Sequence, residues 1–449
     1  MAVFERDILL DLERWANDTN RKPLVLRGAR QVGKTSIVNT FGKRFDNYLY
    51  VNLEDQMAKR FFEESISVSA LLDLLFSFLN KPKKDGRTLL FIDEIQNSSR
   101  AVSLLRYFYE QLPDIFVIAA GSLLESMIDR HISFPVGRVE YMALHPVSFR
   151  EFLSAKGDKS IRELIAKSPE QSTMLHPKLI SDFGLYSLIG GMPEIVQNYI
   201  EYKDIKRLDK IYSTLINGYR DDVEKYSTKP TTTNVIRTII DDGWLMAGQQ
   251  ISFNNFANSN YKSREMSEAF RTLEKTMLLE LVYPTTQTQL PLLSNKRRSP
   301  KLLWLDCGLV SAVGKIKKSI IEAVDLQDVW KGAYAEQIVG QELLTLTNEV
   351  DAKRHFWVRQ DTHASAEVDY VYQFDSMLVP IEVKTGNNAH LRSLHRFIEE
   401  SGQKIAVRVW SQPFSIDDVT TVIGKKHFRL INLPFYLIGD LENILRKYV

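Results

Sequence analysis

Over the first 150 residues short apolar runs alternate with longer amphipathic stretches. PLVL, YLYVNL, TLLFID, IFVIAA and VEYMAL are such runs, and the segments between them are long enough for crossover helices. Strands that are apolar nearly throughout must be covered on both faces, so the pattern predicts a parallel, helix-covered sheet. From about Pro146 to Tyr226 the apolar spacing turns mostly helical, and Gly190-Gly191-Met192-Pro193 ends or re-aims a helix, as in a lid or connector. From about Thr231 to Leu305 the order is helix, helix, helix, then two strands, LLLELVYP and KLLWLD, around a polar basic loop, which predicts a winged helix. From about Asp325 the chain gives a helix (YAEQIVGQELL), the strands HFWVRQ, AEVDYVYQF and MLVPIEVKTG, a further helix and the strand AVRVW, a second α/β unit with mixed pairing.

The fold class expected is therefore α/β, with spans 1–150 (parallel sheet with helices), 151–230 (helical lid or connector), 231–324 (winged helix) and 325–449 (mixed α/β). The chain of 449 residues, at roughly 150 residues per domain, leaves room for a core in each main part. No internal repeat or low-complexity linker interrupts it.

Composition narrows the class. The hydrophobic fraction of 44% and charged fraction of 25% are those of soluble folded proteins, excluding collagen, coiled coil and wholesale disorder. The formal charge of +2 means that any nucleic-acid contact must come from local basic patches. Cys307 is the sole cysteine and the eight His show no metal-ligand spacing, which excludes a disulfide framework and a cysteine-rich zinc site and suits a reducing compartment. MAVFERD meets charge too early for a secretory apolar region, and ALLDLLFSFL contains Asp73 and is too short to span a bilayer. A cytoplasmic protein without membrane contact is expected.

The most specific chemistry follows the strand PLVL. Gly28-Ala29-Arg30-Gln31-Val32-Gly33-Lys34-Thr35, continued by Ser36, matches a P-loop opening a helix. Gly28 and Gly33 let backbone N–H groups surround phosphates at a helix N-terminus; Lys34 is expected on the β/γ-phosphates and Thr35 on magnesium. In LLFIDEIQ a buried strand delivers Asp93 to the sheet's C-terminal edge, where it can hold magnesium, and Glu94 can take a proton from the attacking water. ATP and Mg2+ are the cofactors expected. Ser122, after the strand IFVIAA, either senses the γ-phosphate or closes a turn. Arg138, in FPVGRVEY, is either a surface residue or an arginine finger acting in cis or on a neighbouring subunit of a homo-oligomer.

The GARQVGKT loop, LLFIDEIQ, AAGS, the VGR element and ALHPVSFREF together resemble the AAA+-type ATPases common in archaea and bacteria, and LIGGMPE, KLLWLDCGL and IEVKTG resemble landmarks of the C-terminal region that follows in them. The resemblance covers nearly the whole chain. It implies an AAA+-type ATPase core, a winged helix and a nuclease-like C-terminal fold, with no settled substrate.

In AEVDYVYQF and MLVPIEVKTG, Asp369 precedes Glu382-Val383-Lys384 by a hairpin, which resembles the metal-dependent nuclease superfamily written PD-(D/E)xK, a restriction-endonuclease-like fold; Val368 stands where its proline would be. Strand alternation puts Glu382 and Lys384 on one face. Asp369 and Glu382 would bind magnesium, Lys384 would position the nucleophile or stabilise developing charge, and Glu336 would be the helical carboxylate, on the stripe of Val339, Gly340 and Leu343. The plainer alternative is a salt-bridged strand beside a solvated helix residue.

In the winged-helix span Lys262 and Arg264 precede SREMSEAFRTLEKT, with Arg271 and Lys275 one turn apart, so that this helix could enter a major groove. Lys296, Arg297 and Arg298 lie in the hairpin loop, where a wing could meet phosphates, although such a run is more often a solvated surface. Two functions compete: an ATP-driven machine or switch acting on DNA or other nucleic acid, and a nucleotide-controlled switch whose nuclease-like part is an inert scaffold for protein partners.

Overall fold

The structure is a computed structural model that describes residues 4–121, 134–226, 229–315, 332–360, 366–385 and 391–449. It divides into two compact units: Met1–His145 with Lys275–Leu278 and Asn348–Asp351, and Pro146–Glu274 with Leu279–Thr347 and Ala352–Val449. No helix among the described residues is long and apolar enough to cross a membrane.

The first unit runs α1 (Ile8–Asn17), β1 (Leu24–Arg27), α2 (Lys34–Gly42), β2 (Asn47–Asn52), α3 (Gln56–Glu63), α4 (Val68–Phe78), β3 (Thr88–Asp93), α5 (Ser99–Gln111), β4 (Ile115–Ala120) and β5 (Glu140–Ala143). Its strands form a five-stranded sheet in the order β2-β3-β4-β1-β5, and every pairing is parallel. The apolar runs explain this: every residue of β3 is buried, and Val25, Leu49, Ile92 and Val117 pack with Phe62, Leu75, Leu105 and Phe108 of the covering helices. Because the strands are parallel, β1 and β3 deliver the residues that follow them to the same edge of the sheet.

The second unit begins with helices, among them Phe149–Lys156, His176–Ile189 and Pro193–Tyr202, the last two separated at Gly190-Gly191 as the sequence predicts. Of the three helices and two strands expected between about Thr231 and Leu305, the outer helices and the strand pair are present and the middle helix is not. Pro230–Asp242 and Ser263–Lys275 are helices, and β6 (Leu279–Val282) pairs antiparallel with β8 (Lys301–Trp304). The intervening segment is limited to single 3-10 turns at Gly243–Met246 and Phe256–Asn258, because Asn255, Ala257 and Asn258 take left-handed backbone angles that an α-helix of L-residues does not propagate.

The loop between β6 and β8 is not a free wing. It contains β7 (Pro284–Thr285), which pairs with β9 (His355–Val358) at the edge of a seven-stranded sheet ordered β13-β14-β12-β11-β10-β9-β7. The other strands are β10 (Glu367–Phe374), β11 (Met377–Val383), β12 (Ile405–Trp410), β13 (Ser415–Thr420) and β14 (His427–Pro434). The pairing is mixed, as expected: β11, β12 and β14 are parallel, and the remaining central pairs antiparallel. β13 and β14 extend the expected sheet; Asp417 and Asp418 break the apolar signal of the exposed edge strand β13.

The three later spans are joined by buried polar contacts. Glu342, on the helix Ala333–Leu344, accepts the backbone N–H of Phe149 at 3.1 and 3.3 Å and the Tyr186 hydroxyl at 2.6 Å. Asp306, after β8, accepts the N–H of Gly191 at 2.5 Å and of Leu309 at 3.0 Å. Gly191 approaches so closely that a Cβ would stand 2.1 Å from the Val147 carbonyl oxygen. Both carboxylates cap backbone donors that burial would otherwise leave orphaned.

Burial raises Glu342 from its ordinary 4.5 to about 7, against the lowering effect of Tyr186 and the Phe149 N–H, and raises Asp306 to about 6. A carboxyl whose folded pKa exceeds its unfolded one contributes stability at low pH that is lost as pH rises through the folded value. The Tm of Glu342→Gln is therefore expected to gain on that of the wild type between pH 4.5 and above 7. Melting curves across that range check this; a Tm difference independent of pH would show that Glu342 is not shifted.

Candidate nucleotide and metal sites

β1 is buried through Leu26 and opens directly into the glycine loop. Gly28 has φ +154°, and a Cβ there would lie 2.5 Å from the Leu144 carbonyl oxygen. Gln31 and Gly33 are also left-handed, at φ 67° and 97°, before α2 begins at Lys34. Alternating backbone hands turn successive N–H groups inward, and with the helix N-terminus they make an anion cradle. Ala29 and Val32 are buried and anchor the loop, while Gln31 and Ser36 are exposed and Arg30 is half-buried.

Lys34 Nζ donates to the carbonyls of Gly28 at 2.8 Å and Ala29 at 2.9 Å, folded onto the loop it would extend from when phosphate is bound. Burial lowers its pKa to about 8, opposed by Glu94 and Asp93. The Thr35 hydroxyl donates to Asp93 Oδ2 at 2.7 Å although β4 separates their strands, and the Tyr50 hydroxyl reaches the same oxygen at 3.4 Å. Glu94 holds a left-handed conformation at φ 52°, a strained position for a non-glycine residue, and the Gln96 amide donates to its carboxylate. Burial and Asp93 raise the Glu94 pKa, with Gln96 and Lys34 opposing. The donor set fits a magnesium nucleotide: a hydroxyl and a carboxylate already in contact, an ammonium on the cradle and a second carboxylate beside them.

Ser122 lies outside the described residues. Arg138 lies elsewhere on the first unit. It precedes β5, whose Glu140 pairs with Leu24 at the start of β1, so it sits at the edge of the parallel sheet opposite the loop after Arg27. There it donates to Glu110 at 3.0 Å. That contact fits the surface alternative, and the parallel register puts Arg138 at the end of its strand away from the glycine loop.

The second constellation assembles in the second unit. Glu336, Asp369, Glu382 and Lys384 converge, and two residues that sequence reasoning missed join them. Lys301 of β8, with a side chain only 3% exposed, contacts Glu336 and Glu367 at 2.7 Å each and Asp369 at 3.8 Å. It also stands 4.6 Å from the centre of the Phe356 ring. Glu382 is paired with Lys384 at 2.8 Å, while its Oε2 is buried without a hydrogen-bond partner. Asp369 Oδ2 accepts the Val383 N–H at 2.7 Å. Burial and Asp369 push Glu336 and Glu382 up to about 7, with Lys301 and Lys384 respectively opposing; burial raises Asp369 as well. Both lysines stand above their ordinary values, because the carboxylates outweigh desolvation. Among the described residues no group of three or more His, Cys, Asp or Glu side chains stands ready to hold a metal ion. The orphaned Glu382 oxygen and the excess of carboxylates nevertheless suit one added cation.

Lys301 had a signal, a lysine in an otherwise apolar strand, and so did Glu367, which shares a strand face with Asp369 by alternation. Of the basic residues singled out for nucleic-acid contact, Lys262, Arg264, Arg271, Lys275, Lys296 and Arg297 are exposed and Arg298 is half-buried. Glu268, also exposed, shares the helix Ser263–Lys275 with Arg264 and Arg271 and dilutes its charge.

Residues 20–153 match the family model described as an AAA domain, and residues 180–319 and 331–428 match two domains of unknown function, DUF8612 and DUF4143. The AAA-domain match contains the glycine loop, Asp93 and Glu94. No curated protein matches the sequence. Among solved structures, the Walker-type ATPase of Pyrococcus abyssi is 16% identical, covering 70% of this chain and 96% of its own, with TM-score 0.42. The Aeropyrum pernix Orc1 protein in complex with DNA is 13% identical, covering 70% and 93%, with TM-score 0.29. At these TM-scores the likenesses carry no argument about this chain.

The state of Lys34 yields a test. The protonated amine binds phosphate, so Mg-ATP affinity should be flat well below pH 8 and fall above it by up to about tenfold per pH unit, with proton uptake on binding. Calorimetry of the wild-type protein with a non-hydrolysable ATP analogue, in buffers of different ionisation enthalpy, measures both. Constant affinity from pH 7 to 9 without proton uptake would mean that Lys34 is fully charged before ATP arrives.

Proposed function

We propose that this chain hydrolyses ATP and uses its nucleotide state to control metal-dependent phosphodiester cleavage of nucleic acid by the second unit. The observation that carries the first half is the Thr35–Asp93 contact at 2.7 Å with Glu94 next in sequence. In this reading the glycine-loop N–H groups and Lys34 bind the β- and γ-phosphates, while Thr35 and Asp93 hold magnesium. That ion would offset the negative charge gathering on the transferred phosphoryl group. Glu94 takes a proton from the attacking water as its oxygen bonds to the γ-phosphorus and the bond to the ADP oxygen breaks. Its raised pKa suits a group that must accept that proton. Arg138 serves this reading only from a neighbouring subunit, in which case turnover per chain rises with protein concentration.

The second half rests on the convergence of Glu336, Asp369, Glu382 and Lys384. Asp369 and Glu382 would hold a divalent cation, which would acidify a water and neutralise the phosphodiester. Lys384, paired with Glu382 and partly exposed, orients that water or meets the developing charge. The exposed Lys262, Arg264, Arg271, Lys296 and Arg297 supply phosphate contacts without base reading. One observation favours a second reading, a nucleotide-controlled switch that docks protein partners on an inert scaffold: Lys301 already sits among the carboxylates as a cation.

The discriminating experiment incubates the protein with Mg2+, with and without ATP, and supercoiled or single-stranded DNA. Glu94→Gln should bind ATP and lose roughly 10²-fold or more in turnover. Glu382→Ala/Lys384→Ala should keep ATP turnover and abolish nicking. Intact DNA beside full wild-type ATP turnover establishes the docking switch instead.

A further inference from the structure

Lys301 belongs to no part of the E-x-K motif, yet it is the cation most deeply embedded in the second site. It enters from β8, outside the 331–428 family match, and its 2.7 Å contacts are to Glu336 and Glu367, the two carboxylates farthest from the motif's hairpin turn in sequence. Glu367 is held on its other oxygen by the Gln250 amide at 2.5 Å. The site thus has two halves. In one, Lys301 bridges Glu336 and Glu367 and lies on the Phe356 ring. In the other, Glu382 pairs with Lys384 while Asp369, which accepts the Val383 N–H and stands 3.8 Å from Lys301, lies between the halves, and Glu382 Oε2 is buried without a partner although Glu382 is only 5% exposed.

Charge decides what the site can take. With every carboxylate ionised, as a bound cation would favour, Glu336, Glu367, Asp369 and Glu382 face Lys301 and Lys384 with a formal charge of −2. One divalent ion in the unpartnered half brings this to zero. A second would leave the buried site at +2 unless Lys301 moved out, and a buried charge without a counter-charge is strongly unfavourable. We propose, resting on the metal-dependent reading above, that Lys301 is a positioning residue that stands in for a second metal ion, so that the site binds one divalent cation, on Asp369 and Glu382. On this account a phosphodiester bound there meets one metal ion and Lys384, while the buried ammonium of Lys301 fixes the carboxylates around them. Glu336 acts by holding Lys301 and not as a direct ligand.

The test counts metal ions and needs no nuclease activity. Nucleotide-free full-length protein carrying Asp93→Asn, to silence the P-loop magnesium position, is titrated with Mn2+, and free Mn2+ is followed by electron paramagnetic resonance. One ion per chain is expected. Glu382→Gln in this background should weaken that ion at least about tenfold. Lys301→Met should admit a second ion, seen also as broadening from Mn–Mn coupling, whereas Lys301→Arg should keep the count at one. Two ions in the Lys301-intact protein, or one ion unchanged by Lys301→Met, overturns the role of Lys301 and leaves the metal-dependent reading standing. No ion in either protein overturns that reading itself. No ion with Lys301 intact but one in Lys301→Met shows that Lys301 fills the sole cation position, which also overturns the proposal and favours the inert scaffold. If Lys301→Met fails to fold by circular dichroism, the intact protein decides: one ion supports the proposal, two or none overturns it.

Discussion

A carboxylate taken out of water must find replacements for its hydration, and most of this protein's organisation answers that demand. In the second unit Glu342 and Asp306 meet it with backbone N–H groups and a tyrosine, and thereby tie helix starts from distant parts of the sequence to one core. Glu336, Glu367, Asp369 and Glu382 meet it with ammoniums. The first solution closes the backbone accounting of the fold. The second leaves one acceptor over, and chemistry can be read from that remainder.

The first unit solves a different problem, an anion arriving from outside. Its cradle is made of backbone N–H groups held by left-handed residues, which present partial positive charge without burying an ion, and Lys34 rests on carbonyls of its own loop. The parallel sheet supplies the rest: strands running the same way bring Thr35 and Asp93 to one edge across an intervening strand. The same parallelism carries Arg138 to the opposite edge.

Much of this was legible in the linear order of residues. A P-loop is a local device, so Gly28 to Ser36 could be recognised before any packing was known, and four apolar residues before Asp93 implied a strand that ends there. The carboxylates of the second site were legible because alternation on a strand and spacing on a helix are also local. The middle helix of the winged-helix span was not, since apolar spacing in SFNNFANSNY does not reveal that Asn255, Ala257 and Asn258 take left-handed angles. β7 has only two residues, too few to carry a pattern.

The sequence by itself determined which strands are buried on both faces, where the phosphate loop sits and which acids and lysine could share one strand face, because each follows from side-chain period and backbone hand over a few residues. Only the tertiary structure decided that Lys301 enters the carboxylate cluster, that the three later spans share one unit and that Arg138 faces away from the nucleotide loop. Those outcomes depend on strand order and on which buried charge finds which partner through space, and neither is encoded in any local run of residues.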